Sequence, residues 1–436
     1  MDLWADLNGD MFPSGTEEQR HATMPRGKGR LTERAILSLL RGWLLQYYVA
    51  AYCRSLAATR IFRRCYWIDT LGTDAKSSAT TSTNVESTPA PSSSKGRKKG
   101  TIKPVPPALQ PIVTLSRELM QESKPITLYG LLLATGSSKR KEIRVPQAIQ
   151  NGNDPTRQIA IPRGESAIIH ATWSEAVLSL LNETGQSPAI FLLNPLDLMP
   201  FSADDLVPLY QRAVPTELCL LISHKQIADR LLAALTIPAQ AMALNALLRT
   251  DRWRTLPTVP EEQEQAIHGF TELLIASLQR HFQLPIQPIT FPILIGPATV
   301  APAPYTLLFA TRRQDSLNCM NDAVCIYRQG VEQESYRGVL GEEWFVSQQR
   351  ARQEQALQQL HLRICQQGQA QRTRRWPDLR QHLLLAQFGQ FTLQDYDASI
   401  QQLLRNGEVR CVWRRPLISP EEERIPGNDD TLMWWQ

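Results

Sequence analysis

The stretch Ser187–Leu231 constrains the fold more than any other part of the chain. It opens with an unbroken apolar run, Ala189 to Leu193, and turns at Asn194-Pro195. A helix-like pattern follows over Ala203–Gln211, with Asp204 and Asp205 in its first turn, before a second apolar run from Leu218 to Ile222. Short apolar runs without alternation, separated by a helix, suit strands buried on both faces of a parallel sheet. Ligands of such sheets sit outside the carboxyl ends of the strands, which is where Asn194-Pro195-Leu196 falls.

The preceding chain alternates in the same way. Strands are expected at Tyr66–Ile68, Ile126–Ala134 and Ala167–His170. Helices are expected at Ile112–Gln121 and at Trp173–Leu181, the latter capped by Thr172 or Ser174. Beyond the central stretch, Glu261–Phe282 reads as a long helix. Phe291–Ile295 and Thr306–Ala310 read as two strands around a proline-rich loop, Pro297–Pro304. The expected fold over 31–330 is therefore α/β, a doubly wound Rossmann-like sheet. Residues 1–30 read as a loose polar arm. Leu31–Arg60 reads as an amphipathic helix with Thr32 at its N-cap. Its basic face, Arg30, Arg34, Arg41 and Arg54, is either a solvated face or a contact surface.

The first strand runs into Asp69-Thr70-Leu71-Gly72. A glycine there lets the backbone approach a nucleotide-type cofactor, and a carboxylate accepts hydrogen bonds from its hydroxyl or amine groups. Strand-ending turns use the same residues, so both readings stand. Thr73–Pro111 is rich in Ser, Thr, Ala and Pro, and carries the basic cluster Lys95–Lys99. Such a tract cannot bury enough apolar surface to offset its ordering entropy, and disorder is expected.

Charge and cysteine usage narrow the classes. A net charge of +5 over 436 residues permits nucleic-acid contact without arguing for it. The seven cysteines include no CxxC pair, so neither a disulfide framework nor a zinc site is indicated, and no metal is expected. Reduced thiols, no apolar run of membrane-spanning length and no signal-like start lead to the expectation of a cytoplasmic protein without a membrane partner. His268 and His281 read as surface helix residues, because no acidic or cysteine partner stands at ligand spacing.

The carboxy-terminal part has its own pattern. Residues 331–375 read as a Gln- and Arg-rich helical connector, with a helix at Glu342–Gln371. In 376–436, a helix at Leu379–Leu385 precedes a second at Leu393–Arg405, capped by Thr392 and closed by Asn406-Gly407. Strands follow at Val409–Trp413 and Thr431–Trp435, around the polar loop Pro416–Asp430. Helix, helix and a two-stranded wing describe a winged helix-turn-helix module, which binds DNA or serves as a protein adaptor. The second helix carries Asp395 and Asp397 and is not basic. The candidate nucleic-acid contacts are instead Arg410, Arg414 and Arg415 of the wing, beside Trp413.

Taken in order, these segments resemble the three-Cys-motif partner family (TcmP), whose members have a methyltransferase-like α/β domain and are often proposed to be defence-associated. Tyr66–Asp74 occupies the place of that family's YxDxFAGxG-like strand and loop. Phe191–Asp197, with Pro200 and Leu206, stands where the family has an FLDPFG-like corner and the helix after it. Leu220–Ser223 with Asp229-Arg230, then Leu248–Arg254, then Tyr305–Arg312 with Met320–Ala323 follow as the later motifs. The similarity covers roughly residues 31 to 436 apart from the low-complexity segment.

What the resemblance implies is S-adenosylmethionine held near Asp69 and Gly72, an acceptor amine at Asn194 and Pro195, and a three-Cys-motif protein from a neighbouring gene as partner. The departures bear on those implications. Asp74 stands where the family loop has its second glycine, which would crowd the cofactor and repel its carboxylate. Asn194-Pro195-Leu196 has neither the acid nor the aromatic of the family corner, and Leu248-Arg249 replaces a Phe-Gly. The expectation is a degenerate methyltransferase fold acting as an interaction or nucleic-acid-associated component. Its rivals are an active methyltransferase on nucleic acid and a DNA-binding regulator.

Overall fold

The computed structural model describes residues 32–72, 105–134, 161–198, 207–296, 299–372, 374–415 and 424–434. The N-terminal arm, the basic cluster Lys95–Lys99 and the first part of the expected Ala203–Gln211 helix lie outside the described residues. The expected long first helix is formed by α1 (Glu33–Trp43), a π-helical segment (Leu44–Val49) and α2 (Ala50–Ala58). The Thr32 side chain accepts a hydrogen bond from the Ala35 N–H at 3.3 Å, capping the first turn as expected.

Five parallel strands follow: β1 (Arg64–Asp69), β2 (Thr127–Leu133), β3 (Ala167–Ile169), β4 (Ala189–Leu193) and β5 (Thr216–Ser223). An antiparallel pair, β6 (Gln287–Gly296) and β7 (Thr299–Ala310), completes a seven-stranded sheet ordered β3-β2-β1-β4-β5-β7-β6. The chain is thus a mixed α/β protein with a mostly parallel sheet, compatible with a Rossmann-like fold. Every residue of β4 and β5 is buried, which is why these strands read as solid apolar runs.

Two sequence expectations need correction. Residues 105–111, read as the end of the low-complexity segment, form a 3-10 turn (Pro107–Leu109) that runs into α3 (Gln110–Gln121). Leu109 is buried there, and Pro107 and Pro111 sit at the first or second helical position, where no N–H is required. The proline-rich loop is also largely strand: β7 begins at Thr299 and includes Pro302 and Pro304. These prolines lie in the exposed half of the strand, where the missing N–H groups lose little.

The described residues fall into two compact units. One runs from Cys53 to His281. Its helices are α3, α4 (Trp173–Thr184), α5 (Val207–Gln211), α6 (His224–Thr236), α7 (Pro238–Leu248) and α8 (Gln263–Gln279). The Thr172 N–H donates to Glu175 Oε2 at 2.9 Å at the start of α4, settling Thr172 as its N-cap.

The other unit joins the N-terminal helix up to Tyr52 with the chain from Phe282 onward. Its core is aromatic. Trp43 lies edge-on to Phe291 (5.0 Å) and Tyr327 (5.4 Å), and its Nε1 donates to the Ala323 carbonyl at 3.1 Å. Tyr327 belongs to α9 (Gln314–Tyr336), and α10 (Glu342–Gln371) follows with the expected limits. The chain then forms α11 (Trp376–Ala386), α12 (Leu393–Arg405) and the antiparallel pair β8 (Val409–Val412) and β9 (Thr431–Trp434).

The turn between α11 and α12 is clamped to α9. Asn321 Oδ1 accepts from Gly389 N, and Asn321 Nδ2 donates to the Phe391 carbonyl, both at 2.8 Å. Asp322 Oδ1 accepts from Leu393 N at 2.9 Å, and Arg328 donates to the Gly389 carbonyl at 3.0 Å. Gly389 has φ +72°, and a Cβ there would lie 2.4 Å from Val324 Cγ1. The Met320–Ala323 motif is therefore an anchor for this turn.

Asn321 is fully buried, so Asn321→Ala would strand a backbone N–H and a carbonyl in the core. A loss of about 2–4 kcal/mol is expected in denaturant unfolding, and a loss below about 1 kcal/mol would contradict the clamp.

Candidate functional site

The sheet order makes β1 and β4 neighbours while the connections from them run in opposite directions, which defines a switch point between their carboxyl ends. In register, Asp69 pairs with Leu192, so Asp69–Gly72 and Asn194-Pro195 leave the sheet side by side. The sequence-derived cofactor and acceptor candidates are thus brought together.

Their polar groups are engaged with their own surroundings. Asp69 is buried, and its Oδ1 accepts from the Leu71 N–H at 2.9 Å, holding the loop that follows β1. Thr70 donates to the Leu192 carbonyl through its N–H at 3.0 Å and its hydroxyl at 3.3 Å, tying that loop to β4. Gly72 has φ +77°, a conformation glycine adopts without a Cβ penalty.

At the end of β4 the chain turns about Asn194, whose carbonyl accepts from Asp197 N (3.1 Å) and Leu198 N (3.3 Å). Asn194 Oδ1 accepts from Leu196 N at 3.1 Å. Its two Nδ2 hydrogens go to Asp197 Oδ2 (2.7 Å) and Gln226 Oε1 (2.8 Å). Gln226 Nε2 in turn donates to Asp197 Oδ1, closing a three-residue ring. Pro195 and Leu196 are buried beneath it.

Sequence reasoning missed Gln226, which enters from the first turn of α6, far along the chain and without a motif to mark it. His224, directly after β5, was missed for the same reason. It is half-buried, and burial lowers its imidazole below the usual range. Of the two histidines read as surface residues, His268 pairs with Glu272 at 3.2 Å in an exposed position. His281 instead stacks on Tyr210 with ring centroids 4.5 Å apart. Among the described residues no group of three His, Cys, Asp or Glu is placed to hold a metal ion. No helix there is long and apolar enough to cross a membrane.

The three wing arginines belong to the other compact unit and are all exposed. Arg414 forms an ion pair with Asp429 at 2.8 Å, and its N–H donates to Asp430 Oδ1 at 2.9 Å. Burial pushes the Asp430 carboxyl up, but the N–H groups of Gly427 and Arg414 and the Arg424 charge outweigh it, leaving the acid below its usual range. Arg424, which sequence reasoning passed over, lies over Trp413 at 5.4 Å and donates to the Arg415 carbonyl at 3.2 Å. On α12, Asp397 accepts from Trp376 Nε1 (2.9 Å) and Arg380 (2.7 Å), and Asp395 is engaged in the cap with Thr392. The acids of this helix serve its own packing.

Asn194→Asp would set a second carboxylate against Asp197. Ionised, the two repel, so the folded state raises the pKa of one of them above its unfolded value. The variant should then be less stable than the parent at pH 7, with the deficit shrinking as pH falls toward about 4. Thermal midpoints at neutral and acidic pH measure this. A deficit that does not change with pH would contradict the ring.

Comparison with protein-family models, with curated proteins and with solved structures yields no match to this chain.

Proposed function

We propose that this chain is a divergent TcmP-like protein: a methyltransferase-like scaffold that acts as an interaction or nucleic-acid-associated component of a bacterial defence-type system. The observation that carries the scaffold reading is the self-contained hydrogen bonding at the switch point. Asp69 holds its own loop, and Asn194 gives both amide hydrogens to Asp197 and Gln226. A ligand that needs the Asn194 amide hydrogens would have to break these bonds before making its own. On this reading the switch point does not hold S-adenosylmethionine.

The sheet order supports the methyltransferase-like part of the reading. It is the Rossmann order 3-2-1-4-5-6 with one more strand, β7, placed between the fifth and the last. On this reading the terminal pair of helices with β8 and β9 is the winged-helix module. It meets a partner such as a three-Cys-motif protein, while Arg410 and Arg415 face nucleic acid.

One observation favours an active amino-methyltransferase as the second reading: Asn194 Oδ1 accepts a single hydrogen bond from Leu196 N and keeps a lone pair for an amine. Calorimetric titration with S-adenosylmethionine and with its demethylated product separates the two. The scaffold reading predicts no binding heat at millimolar ligand. Micromolar binding that is lost in Asp69→Ala, with the variant still folded, would overturn it in favour of the enzyme.

A further inference from the structure

Outside the switch point, the unit from Cys53 to His281 carries a second concentration of charge. Three arginines occur within six residues, at Arg249, Arg252 and Arg254, and all three are exposed. The segment is held rigidly. Trp253 is buried at 1% exposure, and its Nε1 donates to Asn245 Oδ1 of α7 at 2.7 Å. The turn Arg252–Thr255 is a 3-10 helix whose start is fixed by Arg252 N donating to Thr250 Oγ1 at 3.2 Å. Arg254 lies over the Trp253 ring at 4.8 Å. None of the three guanidiniums is paired with a carboxylate among the described residues, and Asp251 is the one acid in the segment.

Local structure does not account for all three charges. Arg249 stands at the C-terminus of α7, where a cation complements the helix dipole. It does so at φ +55°, a conformation glycine adopts more readily, so an arginine is retained at a position that disfavours side chains. Stacking on the indole accounts for Arg254. Arg252 does neither, and its side chain points its charge to solvent for no structural return. Arg249 also acts electrostatically on the Tyr210 phenol, whose ring stacks on His281.

We infer that Arg249, Arg252 and Arg254 form a surface that contacts the phosphodiester backbone of nucleic acid. All three are arginine and none is lysine, and the planar guanidinium fork matches phosphate oxygens bidentately. A bilayer surface is a poorer match, because the only apolar residue of the segment, Trp253, is buried. This inference rests on the nucleic-acid-associated reading above, but on different residues from the wing.

The test is binding of a labelled oligonucleotide duplex to the full chain over a range of salt concentrations. Each phosphate contact contributes about 0.9 to the slope of log affinity against log salt. Arg252→Gln, which removes no packing contact, should make the slope shallower by about 0.9. The triple variant Arg249→Gln, Arg252→Gln, Arg254→Gln should make it shallower by about 3. Arg117→Gln, an equal loss of charge on exposed α3, should leave the slope unchanged. Unaltered slopes in Arg252→Gln and in the triple variant, with wild-type binding intact, would overturn this inference and leave the nucleic-acid reading standing. An equal change in Arg117→Gln would overturn it as a non-specific charge effect. No wild-type binding to the duplex at low salt, or binding to anionic phosphatidylserine vesicles alone, would overturn both.

Discussion

Burial of the central strands on both faces is the constraint from which the rest of this structure follows. β4 and β5 expose nothing, and β1 exposes only Arg64 at its start. Such strands can present chemistry only where they end, because their side chains are committed to packing above and below the sheet. At the carboxyl end of β1 the chain must leave through Asp69–Gly72, and at that of β4 through Asn194-Pro195. The switch in connection direction between these strands places the two exits together.

What those exits do depends on the fate of their hydrogen-bonding groups. A binding crevice keeps donors and acceptors waiting for a ligand, at some expense in stability. Here the buried carboxylate of Asp69 turns back on Leu71, and the buried amide of Asn194 is closed off by Asp197 and Gln226. Leu196, next in the chain but one, is part of the core. The sheet ends at a switch point whose polar groups are hydrogen-bonded within the protein. The anchoring of the α11–α12 turn through Asn321 and Asp322 is of the same kind, since it spends buried or half-buried polar residues on position.

Much of the fold was legible because burial leaves periodic marks. The unbroken runs Ala189–Leu193 and Leu218–Ile222 identified central strands, and Thr32, Thr172 and Thr392 marked helix starts through hydrogen bonds local enough to read in sequence. The first, proline-bearing half of β7 was not legible, because proline opposes a strand except where, as at Pro302 and Pro304, it stands at exposed positions. The π-helical stretch Leu44–Val49 carries no breaking residue that would announce it. The candidate site was legible in its positions, Asp69, Gly72, Asn194 and Pro195, but not in its state. The partner that closes Asn194 arrives from α6, and non-local pairing of this kind has no sequence period. The arginines of Arg249–Arg254 were visible as a motif, whereas their lack of carboxylate partners among the described residues needed the folded chain.

The central claim is that the switch-point polar groups are satisfied within the protein itself. Hydrogen exchange at the Leu71 and Leu196 amides tests it most directly, because these N–H groups donate to Asp69 and Asn194. Slow exchange at both in the free protein, unchanged by added S-adenosylmethionine, is the result this account predicts. Exchange at the rate of an open loop, with protection appearing only when the cofactor is added, would contradict it.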